Sequence, residues 1–176
     1  MRAIPTIYDG EQYRSRLEVR WKIFFEALNI QTVYEPRMFS LVSGNYIPDL
    51  WLPKQQVYVE IKGFDDNRSQ SYDDSIRYQE LVNQTRTPLL RIKGWPDPAR
   101  YKCRLYVPIQ HRHIYPGLHW ASFAEGESNQ LCLAEGDKFI QLKRLDWPAQ
   151  SIVEAPQIHS PLILSALALG RNFRAA

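Results

Sequence analysis

Ile47-Pro-Asp-Leu-Trp-Leu-Pro-Lys-Gln-Gln-Val-Tyr-Val-Glu-Ile-Lys-Gly63 (IPDLWLPKQQVYVEIKG) decides how this chain folds. Its second half alternates. Val57, Val59 and Ile61 project to one side of a strand, and Tyr58, Glu60 and Lys62 to the other. The apolar set suits a core. Glu60 and Lys62 then share the opposite face, about 7 Å apart along the strand. Pro53-Lys54-Gln55-Gln56 makes a turn, so the stretch closes into a hairpin. In that register Leu52 faces Val57, Asp49 faces Glu60 and Ile47 faces Lys62. Directly opposed residues hold their Cβ atoms about 4.5–5.5 Å apart. Pro48, which has no N–H to give a ladder, suits an edge or the start of a strand.

Two carboxylates so placed repel each other, and a sheet gains nothing from the pair. The arrangement makes sense around a divalent cation such as Mg²⁺, which prefers carboxylate and carbonyl oxygens. The backbone carbonyl of Ile61 can supply a further oxygen. Lys62 then stands beside the metal, where it can orient or deprotonate a water or offset charge developing on a phosphate.

The preceding segment adds a fourth group. Tyr13–Leu28 reads as a helix, with Leu17, Trp21, Phe24, Phe25 and Leu28 forming one apolar stripe and Asn29 as its stop. Glu18 flanks that stripe, so it can look inward at the sheet. A plain alternative is an ion pair with Lys22 at i+4. Asp49 can equally cap a turn, and Lys62 can be a solvated strand end. Glu60 is harder to dismiss, since glutamate is depleted in strands.

Outward from the hairpin, Gln31–Glu35 reads as a short strand closed by Pro36, and Gly44–Leu52 as the strand that leads into the turn. Tyr72–Gln84 reads as a helix and Pro88–Ile92 as a buried strand. The order is α-β-β-β-α-β, a mixed α/β sheet with a crossover helix. After Trp95-Pro-Asp-Pro98 the character changes. Strands are expected at Tyr101–Val107, Trp120–Phe123, Gln130–Leu133 and Lys138–Leu142, forming a small antiparallel meander. Gln150–His159 reads as a linker. Ser160–Arg174 reads as a terminal helix with Ser160 as N-cap and Pro161 at its first position. The expected organisation is a core over 1–98, a β-rich appendage over 99–148, and a linker with a C-terminal helix over 149–176.

Composition narrows the classes. The chain has 176 residues, 44% hydrophobic and 23% charged, which suits an ordinary soluble globular protein and not a disordered one. No apolar run is long enough to cross a bilayer and the start carries no apolar leader, so a cytoplasmic protein without membrane contact is expected. A net charge of +3 suits a polyanionic partner without demanding one. Cys103 and Cys132 make neither a disulfide framework nor a thiolate metal knuckle. His111, His113 and His119, even with these cysteines, match no metal spacing and read as surface or strand residues. Trp95, Trp120 and Trp147 read as core or interface.

Glu18, then Pro48-Asp49, then Glu60-Ile61-Lys62 resembles the PD-(D/E)xK nuclease superfamily, whose restriction-endonuclease-like core has this element order. The segments SRLEVRWKIFFEALNI, YEP, YIPDLWLP, VYVEIKG and PLLRIKGWP look like small prophage-type members. The resemblance covers about half the chain. It implies an endodeoxyribonuclease in which Asp49, Glu60 and the Ile61 carbonyl hold Mg²⁺ (or Mn²⁺ in its place). Lys62 would serve the attacking water, and Glu18 would support a second metal or a bound water. No small-molecule cofactor is implied. DNA is the implied partner, and cutting both strands with one site per chain would favour a homodimer. Arg14, Arg16, Arg20, Lys54, Arg68 and Arg77 are candidate phosphate contacts, each with a solvated surface role as its plain alternative. Two other functions stay open. One is a binding module of the same fold that does not cut. The other is the cleaving subunit of a recombination or transposition complex.

Overall fold

The computed structural model describes residues 3–64, 72–111, 121–125, 131–135, 138–142, 157–158 and 160–174. In chain order its elements are β1 (Thr6–Tyr8), β2 (Glu11–Tyr13), α1 (Arg16–Ala27), β3 (Val33–Tyr34), β4 (Phe39–Leu41), β5 (Gly44–Tyr46), β6 (Leu50–Leu52), β7 (Val57–Lys62) and α2 (Tyr72–Thr85). They continue with β8 (Leu89–Gly94), β9 (Tyr101–Tyr106), β10 (Ser122–Glu125), β11 (Leu131–Glu135), β12 (Lys138–Gln141), β13 (Gln157–Ile158) and α3 (Pro161–Asn172).

The alternation along β7 organises the rest. Five strands form a mixed sheet in the order β3-β6-β7-β8-β9. β6 and β7 pair antiparallel with Leu50 opposite Val59, Trp51 opposite Tyr58 and Leu52 opposite Val57, the register expected from the turn. β7 and β8 run parallel, and α2 makes the crossover between them. One face of the sheet presents Leu50, Leu52, Val57, Val59, Ile61, Leu90 and Ile92, packed with Trp21, Phe24 and Phe25 of α1 and Ile163, Ala166 and Leu167 of α3. The other face presents Tyr58, Leu89 and Tyr106, packed with Tyr78, Leu81 and Val82 of α2.

Helix ends follow local chemistry. Ser160 accepts a hydrogen bond from the Ile163 N–H at 3.2 Å with Pro161 in the first turn, as expected for α3. Asn29 stands just past α1 with φ 55°, a left-handed stop. Gly170 allows α3 to lie close on α1, because a Cβ there would strike the backbone oxygen of Arg20.

The chain departs from the expected organisation in four places. Tyr101–Tyr106 is not part of the meander. It is the edge strand of the central sheet, antiparallel to β8 along its whole length. The meander β10–β11–β12 forms, but β13, inside the expected linker, pairs with β10. Cys103 bridges to Ala121, and Phe123, Leu131 and Leu133 belong to the main core. Gly44–Leu52 is two strands: β5 pairs with β4, while β6 joins the central sheet. Ile47-Pro48-Asp49 carries the chain between them. Finally, β1 and β2 form a hairpin around Asp9 (φ 52°) and Gly10 (φ 75°), a turn that needs two positive φ values.

Among the described residues no helix is long and apolar enough to cross a membrane.

Candidate active site

The site opens where the β6–β7 ladder ends. Beyond Leu50 the backbone pairing stops, and the Asp49 side chain takes over. Its Oδ2 accepts a hydrogen bond from the Ile61 N–H at 2.7 Å. The N–H and C=O of one strand residue point to the same side, so the Ile61 carbonyl also faces the Asp49 edge. Asp49 Oδ1 accepts from Arg14 Nη2 at 2.6 Å. Arg14 Nε also meets Glu35 Oε1 at 2.7 Å. Glu35 has φ 40°, a strained conformation for a residue with a side chain, and its N–H donates to the Asp49 carbonyl at 2.9 Å.

On the α2 side of β7, Glu60 Oε2 accepts from the Tyr46 hydroxyl at 2.6 Å, and Oε1 meets Lys62 Nζ at 2.5 Å. Glu60 and Lys62 therefore share a face, as alternation requires. Glu18 arrives from the start of α1. Ser15 is the N-cap, and its Oγ accepts from the Glu18 N–H at 3.2 Å and contacts Glu18 Oε1 at 2.8 Å. Glu18 Oε2 accepts from the Ser15 N–H at 3.3 Å and from the Tyr34 hydroxyl at 3.0 Å. This capping box fixes the carboxylate's direction. The alternative pairing with Lys22 does not occur, because Lys22 pairs with Glu26 at 2.9 Å.

Glu18, Asp49 and Glu60 are 7%, 4% and 3% exposed, yet all three line a cleft of about 1380 Å³ together with Lys62. Burial, and then the charges of Glu60 and Glu18, raise the pKa of Asp49 well above the usual aspartate value; the Ile61 N–H and Lys62 offset part of this. Burial pulls the Lys62 pKa down, but the carboxylates of Glu60, then Asp49 and Asp74, together more than offset it and hold Lys62 above the ordinary lysine value. Lys62 is thus a cation, suited to stabilising negative charge and not to removing a proton. Burial, then the Glu60 charge, also raises the pKa of Tyr46, so its hydroxyl stays a donor.

The donor set suits a hard divalent cation. All the groups are oxygens, and each carboxylate oxygen of Asp49 and Glu60 has a second lone pair beyond the bond it already accepts. The repulsion that raises Asp49 is what a cation would relieve. Among the described residues no three His, Cys, Asp or Glu side chains converge as a metal cage. An ion that keeps most of its waters, as Mg²⁺ does, needs only one or two carboxylates. Asp49, Glu60 and the Ile61 carbonyl could hold such an ion. Glu18 is tied to Ser15 and Tyr34 and can reach such an ion through water.

The expected phosphate contacts separate into groups. Arg14 is drawn onto Asp49 and Glu35. Arg16, Arg20 and Arg77 line the cleft. Lys54 does not belong with them: it sits in the β6–β7 turn, at the opposite end of the hairpin from Lys62, and lines a separate small pocket with Leu28 and Ile30. A strand advances about 3.3 Å per residue, so a turn residue cannot stand beside the far end of its own strand. Arg68 lies outside the described residues, as do His113, His119, Trp120 and Trp147. Cys103 and Cys132 are buried thiols outside any disulfide, and burial raises their pKa values, which does not suit a metal ligand.

Sequence reading missed Arg14's place at Asp49, and Tyr34, Glu35 and Tyr46. One signal was present: Ser15-Arg16-Leu17-Glu18 is a capping-box pattern, and it would have fixed where α1 begins and how Glu18 points. No protein-family model, curated protein or solved structure gives a significant match to the chain.

Proposed function

We propose that this chain is a divalent-metal-dependent nuclease of the PD-(D/E)xK superfamily that hydrolyses phosphodiester bonds in DNA. One observation carries the reading: buried Asp49 and Glu60 both line a large cleft at the open end of one hairpin, with Lys62 on Glu60. The order α1–β6–β7–α2–β8, with β7 and β8 parallel, supports a restriction-endonuclease-like topology.

Asp49, Glu60 and the Ile61 carbonyl would hold Mg²⁺, or Mn²⁺ in its place. When bound, the ion neutralises phosphate charge and makes water more acidic. Lys62, kept protonated by Glu60, stabilises the charge that builds on the scissile phosphate and orients the attacking water. Tyr46 holds Glu60 in its rotamer through a buried hydrogen bond. Glu18, fixed by the capping box, positions a water at the same opening. Arg16 and Arg77 contact the strand's phosphates by charge.

A second reading is a DNA-binding module of the same fold that does not cut. The Arg14–Asp49 pair favours it, since it gives Asp49 a structural partner. A role as the cleaving subunit of a recombination or transposition complex is a special case of the nuclease reading. Incubating supercoiled plasmid with Mg²⁺, Mn²⁺ or EDTA separates them. Nicking that requires the metal and disappears in Lys62→Ala supports the enzyme. Metal-independent binding without cleavage of any DNA form supports the module.

A further inference from the structure

We propose that Arg16, Arg20 and Arg100 form a phosphate-binding subsite on the wall of the cleft beside the carboxylates, and that it takes a backbone phosphate of a nucleic-acid strand. The inference deepens the nuclease reading and rests on it for the strand's course past Asp49 and Glu60.

Arg16 and Arg20 stand one turn apart on α1, and both reach the cleft. Among the described residues neither makes an ion pair with a carboxylate. The Nε of each is buried and has no acceptor. Leaving two such donors unbonded is costly, and native proteins rarely do so without a reason. Helix stability does not supply one. Arg16 opens the helix, where the backbone dipole favours acidic residues and disfavours cations. Arg20 is only 8% exposed and lies beside a like charge. Burial, and then Arg16, lower its pKa.

Arg20 is nevertheless held in place. Its Nη2 donates to the Phe173 carbonyl at 3.2 Å, and its guanidinium lies 4.0 Å over the Trp95 ring. The stacked, anchored group keeps its Nε free. Arg100 completes the wall from the β8–β9 loop, whose turn is closed by the Trp95 N–H donating to the Arg100 carbonyl at 2.8 Å. Two guanidiniums without a carboxylate partner, one of them anchored, with spare N–H groups match an anion with several acceptor oxygens such as a tetrahedral phosphate. The subsite lies in the same cleft as Lys62, so a strand whose scissile phosphate reaches Lys62 can place a neighbouring phosphate on Arg16 and Arg20.

The test measures binding of a fluorescein-labelled DNA duplex by anisotropy in EDTA, where no metal-dependent step occurs, across a series of salt concentrations. Arg16→Ala is expected to weaken binding and to reduce the slope of log K against log salt by about 1. Arg16→Lys should recover the slope but only part of the affinity, because lysine keeps the charge and loses the fork. Unchanged affinity and slope in Arg16→Ala overturn the subsite. Inorganic phosphate separates the two possible sources of the ligand. Competition with DNA that depends on Arg16 supports a strand phosphate. Phosphate binding that depends on Arg16 while DNA binding does not overturns the strand assignment in favour of a free anion. Arg16-dependent DNA binding without any metal-dependent cleavage would leave the subsite standing and sink the nuclease reading alone. Equal melting temperatures for wild type and Arg16→Ala exclude loss of fold as the cause.

Discussion

The two faces of the central sheet are built for different ends. Toward α1 and α3 the strands β6, β7 and β8 present Leu50, Leu52, Val57, Val59, Ile61, Leu90 and Ile92, without a polar atom among their side chains. Toward α2 they present Tyr58 and Tyr106 over Tyr78, and Glu60 held by Tyr46. Both faces are buried at their centres, although Lys62, Arg91, Lys93 and Arg104 on the α2 face are only half-buried. At those centres a burial pattern alone would rank them the same, with Val59 at 0% and Glu60 at 3% exposure. What separates them is what burial does to each. On the apolar face it is the source of stability. On the polar face it stores electrostatic cost in Asp49, which a bound cation would release.

The largest separation is expected from Glu60→Gln. It removes a proposed metal ligand and one of the repelling charges together. Metal-dependent cleavage should fall by about a hundredfold or more, since charge stabilisation by the ion supplies several kcal/mol. Chemical denaturation of the metal-free variant should show no loss of stability. A parallel collapse of folding would break the distinction between the faces.

Phe24→Ala should do the reverse. Phe24 is fully buried among Trp21, Phe25 and Phe123. Truncating it should cost about 3–5 kcal/mol in urea melts. Mn²⁺ affinity, measured well below the melting point, should stay near wild type.

pH sharpens the contrast on the polar face alone. The Asp49 carboxyl has a raised pKa in the folded protein, so the folded state holds this proton more tightly than the unfolded chain does. Its contribution to stability is therefore largest below the ordinary aspartate value and is lost as pH rises from there toward the folded pKa. Urea melts in EDTA should show declining stability across that window. Asp49→Asn should flatten the decline, and saturating Mn²⁺ should reverse it.

Arg14→Ala is the mildest test. Arg14 is more than half exposed, so its bond to Asp49 is worth about 1 kcal/mol after solvent screening. Removing it should tighten Mn²⁺ binding several-fold by calorimetry, because the ion no longer competes with a guanidinium for Oδ1. Weaker Mn²⁺ binding would assign Arg14 a supporting role at the site.

The legible parts of this protein are those set by short-range patterns. The β6–β7 hairpin, its register and the shared face of Glu60 and Lys62 follow from alternation and one turn. The cap of α3 follows from Ser160-Pro161. Less visible was anything decided by distant partners. Alternation marks Tyr101–Val107 as a strand but cannot say that it pairs with β8. Gly44–Leu52 looked continuous because Pro48 was tolerable at a strand start. The β1–β2 hairpin was hidden because its strands are three residues long and half polar. At the site, the Asp49 bond to the Ile61 N–H replaces a ladder bond, which no pattern of side chains announces. Tyr34, Glu35 and Tyr46 read as ordinary strand and turn residues until the fold brings their oxygens to Glu18, Arg14 and Glu60.

Titration of Mn²⁺ into the metal-free protein, followed by electron paramagnetic resonance, addresses the Asp49–Glu60 site directly. Wild type should remove free Mn²⁺ from solution, and Asp49→Asn and Glu60→Gln, shown to be folded by their melts, should not. Equal Mn²⁺ binding by wild type and both variants, or none by wild type, would contradict a divalent-cation site at these two carboxylates.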